Sequence, residues 1–103
     1  MCLMAEGPND GEGDGKGTTS NFTITNNYCE TLKASQNIMI EDIPNCVITG
    51  NTFAGSSEKA IGLDLKSTGA KVSGNTLSGP KFEVGMDSTS KPGYQGPEPQ
   101  GGP

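Results

Sequence analysis

One feature constrains this chain more than any other: an internal repeat with a period of about 24 residues, within the range that marks solenoids. Asn51 lies in the run Asn45-Cys46-Val47-Ile48-Thr49-Gly50-Asn51-Thr52-Phe53, with one counterpart upstream, Asn27, and one equally far downstream, Asn75. The surroundings repeat with it, as Phe22-Thr23-Ile24-Thr25-Asn26-Asn27 before and Ala70-Lys71-Val72-Ser73-Gly74-Asn75-Thr76-Leu77 after. In a solenoid each unit buries a strip against its neighbours instead of building one central core.

Each unit carries two runs that alternate with period two, the pattern of strands rather than helices. In the first run the inward pairs are Phe22/Ile24, Cys46/Ile48 and Ala70/Val72, with Thr23, Val47 and Lys71 facing outward. Asn26-Asn27, Gly50-Asn51 and Gly74-Asn75 follow, residues that tolerate positive φ and form turns. An apolar residue then returns two places later as Cys29, Phe53 and Leu77. The second run reads Ile38/Ile40, Ile61/Leu63 and Val84/Met86, at a spacing one residue shorter, with Leu65 and Phe82 extending the last two. The expectation is at least two strands per unit, stacked in parallel about 4.8 Å apart. At the repeated turn, Asn27, Asn51 and Asn75 are expected to form a structural ladder, satisfying one another and the backbone groups the turn leaves open.

Only 30% of the 103 residues are hydrophobic and 5% aromatic, and Gly and Pro number 16 and 7. The apolar residues concentrate between Phe22 and Met86. That divides the chain into a flexible acidic Gly-rich leader (1–20), the repeats (21–87) and a disordered Pro/Gly-rich tail (88–103). The net charge is −5, with neither Arg nor His. This counts against nucleic acid and against anionic membrane surfaces as partners, both of which are held through clustered cations. No run of about 18 apolar residues offers a membrane span, and the opening Met1-Cys2-Leu3-Met4-Ala5-Glu6 does not read as a signal peptide.

Three cysteines, Cys2, Cys29 and Cys46, are an odd number and suggest no disulfide framework. Cys29 and Cys46 occupy apolar positions of the repeat and read as small buried hydrophobes, with a Cys29–Cys46 bridge or metal pair as the alternative. Two motif look-alikes fall in the leader. Gly15-Lys16 lacks the phosphate loop's first Gly, which is Asp10, and its Ser or Thr, which is Gly17. Asp10, Glu12 and Asp14 have the alternation of a calcium loop, but Asn21 stands where a bidentate Glu is needed. The single glycosylation sequon is Asn21-Phe22-Thr23, relevant only to a secreted chain.

Two solenoid families compete. Ile43-x-x-Cys46-x-Ile48-x-x-Asn51-x-Phe53 fits the leucine-rich-repeat pattern. However, Thr19 and Ser67 replace the upstream apolar residue in the other units, and the second half of each unit reads as strand. The run Cys46-Val47-Ile48-Thr49-Gly50-Asn51-Thr52-Phe53 and its partner Ala70 through Leu77 resemble the right-handed parallel β-helix of pectate-lyase-like proteins, over about two-thirds of the chain. That resemblance implies an all-β solenoid (β-solenoid) of about three coils of roughly 22–24 residues each. It also implies an asparagine ladder at one turn, polysaccharide as the partner, and an extracellular or phage-particle setting. Enzymes of the family depend on Arg or Lys bases with calcium-binding carboxylates, or on Asp groups with a His and an Arg-x-Lys element. With no Arg, no His and no adjacent Asp pair, none of those motifs transfers to a position of this chain. The reading that follows is a non-catalytic scaffold or carbohydrate-contacting segment of a larger polysaccharide-active protein. The alternatives are a lyase or hydrolase whose active site lies outside the chain, and a leucine-rich-repeat-like protein-interaction module.

One column carries candidate chemistry. Glu41, Asp64 and Asp87 recur at the shorter spacing, outward and one per unit. Stacked carboxylates bind a cation, shift their pKa values upward or splay into solvent. The leading reading is a solvated acidic face with no cofactor, and calcium is the alternative. Sugar contact or a paired-carboxylate hydrolase site are its other uses, and Lys59, Lys66 and Lys81 are near enough in sequence to neutralise it. Three coils would leave unpaired strand edges at both ends, so further coils or another chain are expected to cover them, as in a fragment of a longer protein.

Overall fold

A computed structural model describes residues 1–7 and 21–103. Ten strands form its framework: β1 (Leu3–Glu6), β2 (Thr23–Thr25), β3 (Tyr28–Thr31), β4 (Gln36–Glu41), β5 (Val47–Thr49), β6 (Thr52–Gly55), β7 (Lys59–Asp64), β8 (Lys71–Ser73), β9 (Thr76–Ser78) and β10 (Phe82–Met86). The one helical element among the described residues is a 3-10 turn at Ser88–Ser90. The strands form three sheets, ordered β1-β4-β7-β10, β2-β5-β8 and β3-β6-β9, and every pairing is parallel. From β2 onward the chain visits the three sheets in turn, one strand in each, and repeats the circuit. The protein is therefore all-β with parallel sheets, an arrangement compatible with a β-solenoid.

The repeat is the physical origin of this register. Its longer spacing sets Ile24 beside Ile48 and Ile48 beside Val72 in one sheet, and Cys29 beside Phe53 and Phe53 beside Leu77 in the next. The shorter spacing sets Ile38 beside Ile61 and Ile61 beside Val84 in the third. These residues meet in a single core, where Ile40, Ile48, Ile61, Leu63 and Val84 are fully buried. Each circuit has three strands, one more than the two alternating runs require. The third holds the lone apolar residue after the asparagine turn, too short a signal to read as a strand by itself.

Two turn positions recur with left-handed backbone. Asn26, Gly50 and Gly74 have φ of 58°, 70° and 65°, and Asn21, Asn45, Gly69 and Gly93 have 57°, 62°, 70° and 74°. Asn and Gly are the residues that adopt this region at least cost. A further pair, Asp42 and Leu65, shares a φ of 55°, so Leu65 lies at a turn rather than extending its strand.

Both ends depart from the expected organisation. Leu3–Glu6, inside the supposed flexible leader, is a strand paired in register with β4, Leu3 with Ile38 through Glu6 with Glu41. The offset between these partners matches neither spacing of the repeat, which is why periodicity does not reveal the strand. Cys2 is joined to Cys29 by a disulfide with Cα atoms 6.0 Å apart, and Cys46 is a free, buried thiol. Neither a chain without disulfides nor a Cys29–Cys46 bridge is what forms; Cys2, brought alongside β3 by β1, is the partner. The acidic look-alike at Asp10, Glu12 and Asp14 lies outside the described residues, as does the Gly15-Lys16 pair.

The Pro/Gly-rich tail also packs rather than trailing as a disordered segment. Gln95 bridges to Lys71 in parallel, its N–H donating to the Ala70 carbonyl and its carbonyl accepting from Val72 N–H. Gln100 N–H donates to the Val84 carbonyl on the free side of β10. Tyr94, one period beyond Ala70, packs half-buried against the core. The segment then crosses the outer face of the β1-β4-β7-β10 sheet, where Lys59 Nζ donates to the Pro103 carbonyl at 2.9 Å. Gly85 makes room for it, since a Cβ there would collide with the Gly102 carbonyl oxygen. The end expected to lie open is thus covered at two sheets by the chain itself.

Candidate functional site

The carboxylate row is the first candidate, built at the C-terminal ends of β1, β4, β7 and β10. Glu6 pairs with Glu41 and Glu41 with Asp64, while Asp87 follows the Met86–Leu63 pair. Glu6 is a fourth member that the repeat does not reach. The row is not a cage of equivalent ligands. Asp64 Oδ1 and Asp87 Oδ2 both accept from Leu65 N–H, at 2.9 and 3.1 Å, and the two carboxyls are hydrogen-bonded to each other. Asp87 also caps the 3-10 turn, its Oδ1 accepting from Ser90 N–H at 3.0 Å and from Thr89 Oγ1 at 2.9 Å.

The two aspartates titrate in opposite directions. Burial, the hydrogen bond to Asp87 and the charges of Asp87 and Glu41 push Asp64 up to about 6 against the pull of the Leu65 amide. Burial acts upward on Asp87 as well, but hydrogen bonds from Asp64, Ser90, Leu65 and Thr89 outweigh it and hold Asp87 at about 2. Asp64 is therefore the carboxyl of the pair that keeps a proton to higher pH. The donors converging on Asp87 satisfy that carboxylate from within the protein. Among the described residues, no group of three or more His, Cys, Asp or Glu is arranged to hold a metal ion. Of the lysines expected to neutralise the row, Lys59 is committed to Pro103, and Lys66 and Lys81 are exposed.

The turn after β7 explains why Asp87 is so placed. Leu65, Lys66 and Ser67 present three successive backbone amides, and the following circuit answers each: Asp87 Oδ2 at 3.1 Å, Thr89 Oγ1 at 2.8 Å and Ser90 Oγ at 3.1 Å. Ser67 Oγ in turn accepts from Ile43 N–H at 3.3 Å and donates to the Asp64 carbonyl at 2.7 Å. Ser67 and Ser90 obey the shorter spacing of the repeat, a signal present in the sequence but hidden by the apolar pattern.

The asparagine column is the second candidate. Asn27 N–H and Nδ2 donate to Asn51 Oδ1 at 2.9 and 3.2 Å, and Asn51 N–H and Nδ2 donate to Asn75 Oδ1 at 2.9 and 3.1 Å. Asn51 Nδ2 also reaches the Ile24 carbonyl at 3.0 Å, and Asn75 Nδ2 reaches that of Ile48 in the same way. The amides of this column are therefore spent on their neighbours and on backbone, and Asn51 is only 1% exposed. A further polar group, Asn37, is buried near the start of β4. It donates to the Cys29 and Ala54 carbonyls, both at 3.0 Å, and accepts from Ser57 Oγ.

Two columns of hydroxyl groups lie on the outer faces flanking the asparagine turn. Thr25, Thr49 and Ser73 form one column in register, with the Thr25 and Thr49 hydroxyls 3.3 Å apart. Tyr28, Thr52 and Thr76 form another. Tyr28 is 68% exposed and its hydroxyl donates to Glu30 Oε1 at 2.9 Å. A cavity of about 350 Å³ opens nearby, lined among others by Leu3, Phe22, Tyr28 and Phe53.

Comparisons of the chain with protein-family models, with curated proteins and with solved structures return no match.

Proposed function

We propose that the chain is a right-handed parallel β-helix of about three coils, related in design to pectate-lyase-like proteins, and that it serves as a non-catalytic scaffold that contacts polysaccharide. The parallel strand orders and the constant offsets between partners support the architecture. The observation that carries the function is the division of labour among polar groups. The buried amides and the Asp64–Asp87 pair are consumed by backbone capping, while Thr25, Thr49, Ser73, Tyr28, Thr52 and Thr76 stand in register on the outside. Hydroxyls repeated at the strand spacing, about 4.8 Å, offer donors and acceptors along a line, and the Tyr28 ring supplies an apolar face beside them. That is the chemistry of an extended hydroxyl-rich chain. The site belongs with polymers found outside the cell or at the surface of a phage particle.

Affinity electrophoresis through gels containing neutral or acidic polysaccharide tests the reading. Retardation is expected with at least one polymer. Tyr28→Ala combined with Thr49→Val should abolish it while leaving the unfolding free energy within about 1 kcal/mol of the parent. Absence of retardation, or retardation indifferent to both substitutions, overturns it. Cleavage of the polymer by the chain would instead favour an enzyme.

A further inference from the structure

We propose that Asn21 is an N-glycosylation site, and that the glycan it carries shields the β2 edge of the β2-β5-β8 sheet, which has no strand beside it among the described residues. Among the asparagines of the chain, Asn21 alone is followed two places later by Thr or Ser, in Asn21-Phe22-Thr23. The structure supplies the conditions that the sequon leaves undecided. Asn21 and Thr23 are both exposed, and Phe22 between them turns inward against the core, so the acceptor amide and the hydroxyl share the solvent side. Asn21 has a φ of 57° at a turn that leads into β2, so its side chain projects from a bend rather than from the middle of a sheet.

Two further observations converge on the same residue. The Cys2–Cys29 disulfide belongs to an oxidising compartment, and the secretory pathway, where disulfides form, is also where oligosaccharide is transferred to asparagine. The same bond removes the competing acceptor. Asn27-Tyr28-Cys29 has a cysteine at the third position, and its sulfur is committed to Cys2, while Asn27 Nδ2 is held by Thr25 and Asn51. The position is also apt. Among the described residues β2 is the outermost strand of its sheet, and such an edge invites association with other chains. A bulky hydrated group at the start of that strand opposes such pairing.

The transfer uses a polyprenyl-diphosphate-linked oligosaccharide as co-reactant. Asn21 Nδ2 forms a C–N bond to the anomeric carbon, the anomeric C–O bond breaks, the lipid diphosphate leaves with the electron pair, and the amide gives up one proton to the transferase's base.

The test is translation of the full chain, behind a cleavable signal sequence, in the presence of microsomes. The protease-protected product is then measured by intact mass with and without peptide N-glycosidase. One glycan per chain is expected, removed by the glycosidase with conversion of Asn21 to Asp. Thr23→Ala and Asn21→Gln should both abolish it, and Thr23→Ser should retain it. A protected, disulfide-bonded chain with unmodified Asn21 overturns the proposal, as does a glycan that survives Thr23→Ala. Because modification is read on the translocated chain, a variant that folds poorly still reports. On the purified protein, the glycosylated form should stay monomeric at concentrations where the enzymatically deglycosylated form associates, and equal association of the two removes the shielding role.

Discussion

Identical side chains in one column do different work. Asn27, Asn51 and Asn75 are chemically equivalent, but only Asn51 has a rung on each side and a nearly complete loss of exposure. Truncating it to Ala removes the acceptor for two Asn27 donors and the donor for the Ile24 carbonyl, leaving buried groups without partners. Asn51→Ala is therefore expected to destabilise the chain by about 1–3 kcal/mol, and the exposed Asn27→Ala by less. Denaturant titration of the two variants measures the difference. Equal midpoints would show that the column contributes nothing beyond turn propensity.

One level up, the turns after β7 and β10 act as one unit through the Asp64–Asp87 pair, and their stability should depend on pH in two directions. Asp64 rises from 3.8 to about 6 on folding, so the folded state holds its proton longer. This contribution is fully present below the unfolded value and lost as pH rises through about 6. Asp87 falls from 3.8 to about 2, so its contribution is present above the unfolded value and lost as pH falls through about 2. The unit should be most stable near about pH 4. Asp64→Asn keeps a donor toward Asp87 without the titration, and should flatten the decline between about pH 4 and about pH 6 in a series of thermal melts. A decline of the same size in parent and variant would separate these turns from the pH dependence.

For the molecule as a unit, the question is what closes a short stack of strands. Tyr94, Gln95 and Gln100 cover two sheet edges, and the strap ending at Pro103 lies over Gly62 and Gly85. Tyr94→Ala removes a half-buried aromatic ring from that cover and should cost roughly 1–3 kcal/mol. Unfolding midpoints and limited proteolysis of residues 88–103 report on it together. An unchanged midpoint with rapid cleavage would return the segment to the disordered tail its composition suggests.

The parallel register and the core are legible in the sequence alone. A constant offset between units brings like to like, so Ile48 can only stack on Ile24 and Val72 once the strands align. The sequence also holds more than its apolar pattern shows: Gly93 and Tyr94 stand one further period beyond Gly69 and Ala70, a fourth start that the surrounding Pro and Gly conceal. Other features arise only when the chain closes on itself. The pairing of Leu3 with Ile38 and of Cys2 with Cys29 joins residues whose separation follows no period, because contacts across an irregular connection depend on where the chain returns. Asp64 and Asp87 share one column yet titrate in opposite directions, because a carboxyl's affinity for its proton is set by the donors and burial around it, and those come from three different segments.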